Sequence, residues 1–67
     1  MNTVDARGYS CPEPVIMTKQ ALNQGTPLLV LVDSMIPVNN ITRFAINAGY
    51  KVTYIAKGDD FELTISK

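Results

Sequence analysis

The sequence predicts an α/β (α+β) two-layer sandwich with the element order βαβαββ, a four-stranded mixed sheet carrying two helices on one face. Three observations predict it. Two helical patterns, each with proline at its start and glycine at its end, are set between strand-like runs. The last two strand-like runs are separated only by Gly58-Asp59-Asp60, which is turn chemistry. A chain of 67 residues makes one small domain, here residues 1–67, and two helices most economically cover one face of four strands.

The elements follow in order. Thr3-Val4-Asp5-Ala6-Arg7 alternates polar and apolar residues and reads as a short strand that Gly8 breaks. A helical pattern then runs to about Gln24. Pro12 and Pro14 belong in its first turn, where a missing N–H had no partner anyway, so the helix starts at Cys11 or Pro12. Its inner side carries Pro14, Met17, Thr18, Ala21 and Leu22, and Gly25 stops it. Pro27 to Asp33 is the second strand, and its unbroken apolar run predicts burial on both faces. If both helices cover one face, however, Leu29 and Leu31 point to an open one. Asp33-Ser34-Met35-Ile36 reads as a loop, and Pro37 opens a second helix that runs to Ala48. Val38, Ile41, Phe44, Ala45 and Ala48 share its inner face, Asn39, Asn40, Arg43 and Asn47 lie outward, and Gly49 ends it. Lys51 to Lys57 alternates with Val52, Tyr54 and Ala56 on one face, and Phe61 to Ile65 completes a hairpin. A strand, a crossover helix and a neighbouring strand pair in parallel.

Composition excludes several kinds of chemistry. Six basic and six acidic residues cancel, which argues against binding nucleic acid through its phosphates. No histidine is present, so a Cys-His or Ser-His-Asp nucleophile is impossible within the chain. One cysteine and scattered carboxylates make no recognisable metal site, and no cofactor motif is present. The longest apolar run, Leu28 to Val32, is far too short to span a bilayer, and Met1 to Asp5 has no signal-peptide pattern. A lone cysteine without such a signal fits a cytoplasmic, reducing setting.

Cys11 is the residue that can carry chemistry. It stands at a strand-to-helix junction, at the carboxyl edge of the strands, where open α/β sheets place their ligands. A helix N-terminus favours a thiolate, while the Glu13 carboxylate beside it disfavours one. Pro12 and Pro14 stiffen the backbone there and leave Glu13 and Val15 as first-turn N–H donors. Asp33 ends the neighbouring strand at the same edge, and the N–H groups of Val38 and Asn39, at the start of the second helix, could face the same crevice. Ile16 and Ile46 point away from the sheet, and Ile16 suits a surface that partners recognise.

The stretch Asp5-Ala6-Arg7-Gly8-Tyr9-Ser10-Cys11-Pro12-Glu13-Pro14-Val15 resembles the signature of the TusA/SirA/YedF family of small sulfur carriers, whose hallmark is Cys-Pro-x-Pro at the start of the first helix. The resemblance covers essentially the whole chain. Asn40 to Ala45, continuing through Gly49-Tyr50, looks closest to the YedF-like branch, in which this domain is often joined to a DsrE-like domain. The resemblance implies the βαβαββ sandwich and a role. Cys11 would take sulfane sulfur as a persulfide from a cysteine desulfurase-like donor and relay it to an acceptor protein, with Pro12 and Pro14 as supports. TusA proper carries a basic residue before the cysteine and an aspartate in the second helix; here stand Ser10 and Asn39 or Asn40, so its tRNA-thiolation partners are not implied. Two other readings stand beside the carrier: a non-catalytic regulatory or interaction module, and a thiol redox sensor.

Overall fold

The structure, a computed structural model, describes residues 2–10 and 12–67. Its elements are β1 (Asn2–Asp5), α1 (Glu13–Leu22), β2 (Leu28–Val32), α2 (Met35–Asn47), β3 (Lys51–Lys57) and β4 (Asp60–Ser66). They form one sheet in the order β1-β2-β4-β3, with β1 parallel to β2 and the other pairings antiparallel. The predicted order and mixed sheet are therefore the observed ones.

Register explains the core. Val4, Val30 and Leu63 lie in one row across the sheet, and Leu28 and Ile65 face each other in the next. These residues alternate with polar ones along β1 and β4, so one sheet face is apolar. The helices bury that face: Leu28, Val30, Val32, Leu63 and Ile65 join Leu22, Val38, Ile41 and Ala45 in a single cluster. Each such large side chain contributes roughly 1.5–3 kcal/mol of transfer free energy.

Several local expectations need correction. β2 is not buried on both faces, as its unbroken apolar run suggests, but on one, as the two-layer arrangement predicts: Leu28, Val30 and Val32 are buried, while Leu29 and Leu31, on the open face, are half-covered. On that open face Leu29 stands in register with Thr3 and Thr64, and Leu31 with Asp5 and Glu62. Tyr54 and Ala56 are exposed although they share the side of Val52, which packs against the core, because β3 is an edge strand at the margin of the helical layer. Ala48 is the exposed C-cap of α2 rather than part of its inner face.

The helix ends follow capping chemistry. α2 closes in a Schellman motif, with the Tyr50 N–H donating to the Ala45 carbonyl and the Gly49 N–H to that of Ile46. Gly49 sits at φ +93°, which an L side chain rarely adopts. α1 stops at Leu22, two residues earlier than the periodicity predicts, and unwinds through single-turn bonds from Asn23, Gln24 and Gly25. The β3–β4 hairpin turns on Gly58 at φ +61° followed by Asp59 with an ordinary negative φ, the type II′ pattern.

Candidate functional site

The two loops that leave the carboxyl ends of the parallel strands β1 and β2 lie side by side. Between them is a cleft of about 350 Å³ lined by Tyr9 and Ser10 from the first loop and by Ser34, Ile36 and Pro37 from the second. This is the crevice that the parallel pairing predicts.

Both walls are pinned. The Gly8 N–H donates to Asp33 Oδ2 at 2.8 Å, tying the β1–α1 loop to the end of β2. The Ala6 N–H donates to the Leu31 carbonyl at 2.8 Å, which extends the β1–β2 ladder one residue past Asp5. Arg7 then turns outward and spans the sheet edge. Its Nε and Nη2 lie 2.9 Å from the two oxygens of Asp5, and its Nη1 lies 3.1 Å from Asp60 Oδ2 at the start of β4. The guanidinium hydrogen bonds hold the Asp5 carboxyl down at about 2, with the Arg7 backbone N–H adding to the effect. Asp5 in turn, with Asp60, pushes the Arg7 guanidinium above its usual value.

The start of α1 differs from the expectation. The helix begins at Glu13, with Pro12 as its N-cap and Pro14 within the first turn. The Glu13 N–H is donated to the Ser10 carbonyl at 2.9 Å, so it is not a free donor toward the cleft. Pro14 is buried on the inner side, while Pro12 and Glu13 are exposed. Thr18 follows one turn later, fully buried, and its hydroxyl donates to the Pro14 carbonyl at 2.8 Å. Cys11 itself lies outside the described residues.

The start of α2 also shifts. Met35 and Ile36 belong to the helix, and Pro37 sits at its third position rather than at its first. Proline is tolerated across the whole first turn, because none of those N–H groups has an intrahelical partner. The groups left without a helical acceptor are therefore those of Met35 and Ile36, not of Val38 and Asn39. The Ser34 side chain makes no capping bond, and no acidic residue occupies the first turn. The cleft thus has hydroxyls on both walls, a helix N-terminus on the second, and an apolar rim. Ile36 is 68% exposed and Tyr9 52% exposed. Ile16 is exposed on α1, as its position on the helix predicts.

The geometry gives Asp33 a definite task, holding the first loop through Gly8. Sequence reasoning missed Tyr9, Ser34 and Ile36 as cleft walls, and Arg7 as the clamp between strands. One signal was present: Ile36 is a large apolar residue in a segment that reads as a loop, where packing does not call for one. Among the described residues no cluster of three or more His, Cys, Asp or Glu side chains could hold a metal ion, and no helix is long and apolar enough to cross a membrane.

Known proteins resemble this chain over its full extent. The family model described as sulfurtransferase TusA matches residues 2–67. A protein of Methanocaldococcus jannaschii, provisionally named a sulfur carrier protein, is 39% identical over 71 residues, spanning 100% of this chain and 95% of that protein. The crystal structure of a SirA-like protein from Desulfitobacterium hafniense superposes with a TM-score of 0.93 at 39% identity, covering 98% of this chain and 96% of that one.

Proposed function

Because this chain belongs to the TusA sulfurtransferase family and is a sulfur carrier, we propose that it holds the carried atom as a persulfide on Cys11 and passes it to an acceptor protein. The observation that carries this reading is the cleft between the two loops. Its wall includes Ser10, the residue before the only cysteine of the chain.

The chemistry needs little from the carrier. The Cys11 thiolate attacks the outer sulfur of a persulfide on a cysteine desulfurase-like donor. The donor's S–S bond breaks, its own sulfur leaves as a thiolate, and Cys11 gains one sulfur atom. An acceptor thiolate then attacks that outer sulfur and frees the Cys11 thiolate. No step demands a general base on the carrier, so a chain without histidine can perform both. Pro12 and Pro14 restrict the backbone that follows Cys11, and Glu13 closes the turn onto Ser10. The Tyr9, Ser10 and Ser34 hydroxyls are the donors available to an anionic persulfide, and Ile16, Ile36 and Tyr9 offer the partner an uncharged rim. Asp33 is a positioning residue for the first loop. In this reading the protein works in the reducing cytoplasm, belongs to the YedF-like branch, and has a DsrE-like domain, in the same chain, among its partners.

Incubation with a cysteine desulfurase and cysteine, followed by mass spectrometry of the intact chain, tests it. The expected result is one added sulfur atom, lost in Cys11→Ser. A mixed disulfide under mild oxidant without any persulfide would favour a redox sensor. No adduct of either kind would favour an interaction module.

A further inference from the structure

We infer that two copies of this chain associate through antiparallel pairing of their β3 edges, with Ile55 on the twofold axis. The proposal concerns a surface away from the cleft and does not depend on the sulfur chemistry. β3 is a seven-residue edge strand paired without interruption from Lys51 opposite Ser66 to Lys57 opposite Asp60, so its other side offers a regular row of backbone donors and acceptors. Such an edge is a template for another strand. Its central side chains are large and about half exposed: Tyr54 is 49% exposed and Ile55 55% exposed. The opposite edge, β1, has only four residues.

Register selects the partner. A twofold axis perpendicular to the sheet keeps the two faces distinct, so the pairing can be centred on one residue or the next. Centring on Tyr54 sets Lys51 against Lys57 of the partner copy, a like-charge pair that opposes association. Centring on Ile55 removes that conflict. Ile55 then meets its own copy on the open face, Tyr54 stands opposite Ala56 on the helix-facing side, Thr53 stands opposite Lys57, and Lys51 comes opposite Asp59 in the hairpin turn. Lys51 and Asp59 are exposed, and neither side chain has an ion-pair or hydrogen-bond partner among the described residues. Lys57 already has one, Glu62 at 3.8 Å. The two unused, opposite charges therefore lie at the two ends of this edge and match across the dyad twice. The paired sheets would form one continuous sheet with the cleft free in each copy.

Sedimentation equilibrium over a concentration series at low salt tests the inference, with thermal unfolding to confirm that each variant is folded. The expected result is a reversible monomer–dimer equilibrium that Ile55→Lys abolishes. Lys51→Asp and Asp59→Lys should each weaken it by about tenfold, from two symmetry-related contacts turned repulsive. The double variant carrying both should restore it. A chain that stays monomeric at every concentration would overturn the proposal. So would a dimer that tolerates Ile55→Lys, or one that the double swap does not rescue.

Discussion

Replacing Asp33 by alanine should loosen the first loop without unfolding the domain. The perturbation removes the acceptor of a single hydrogen bond, Gly8 N–H to Asp33 Oδ2 at 2.8 Å, which joins segments 25 positions apart. A charge-assisted bond in a buried setting is worth up to about 3 kcal/mol, but both groups here are exposed, so about 1 kcal/mol is the fitting figure. At about 2.1 cal/mol/K per residue, 67 residues unfold with an entropy near 140 cal/mol/K, so 1 kcal/mol lowers Tm by about 7 °C. The same 1 kcal/mol is roughly a fivefold change in an equilibrium constant, so Gly8 amide exchange should accelerate about fivefold. Asp33→Asn keeps a side-chain oxygen acceptor and should lose less than half as much. Circular dichroism melting and amide hydrogen exchange read the two quantities. An unchanged Tm together with unchanged Gly8 exchange in Asp33→Ala would refute the reasoning. On the proposed function, that variant should also slow persulfide transfer at temperatures where it remains folded.

Other outcomes follow from particular groups. Asp5 has its folded pKa lowered to about 2 from an ordinary value of 3.8, so its contribution to stability is complete above about pH 4 and is lost as pH falls through about 2. Tm against pH should therefore show an acid limb that is weaker in Arg7→Ala. Thr42 Oγ1 is buried without a hydrogen-bond partner among the described residues, so Thr42→Val should raise stability by about 1 kcal/mol, seen as a higher urea midpoint at unchanged m. Leu63, fully buried at the centre of β4, should cost about 2–5 kcal/mol when cut to alanine. A domain of this length has only about 3–10 kcal/mol in total, so that variant should lose about half of its stability, seen as a much lower urea midpoint.

What the sequence by itself determined is the order of elements, because each is marked locally. Glycines after Leu22 and Asn47 stop the helices, prolines open them, and alternation identifies β1, β3 and β4. It also singled out Cys11, by elimination of other chemistry and by its place between strand and helix. The helix starts were less legible, since proline fits any position of a first turn, and α2 therefore begins two residues before Pro37. The uninterrupted apolar run of β2 is ambiguous for a related reason: a local run of leucine and valine does not say how many layers will cover it. Two helices over four strands already left Leu29 and Leu31 on an open face, as observed; only the tertiary structure decided that β3 is an edge, and that Tyr9, Ser34 and Ile36 share a cleft. The same holds for the bonds from Asp33 to Gly8 and from Arg7 to Asp60, which join residues 25 and 53 positions apart. Local patterns report the conformation of a segment, whereas a site depends on which segments are brought together, and that follows from strand order and register.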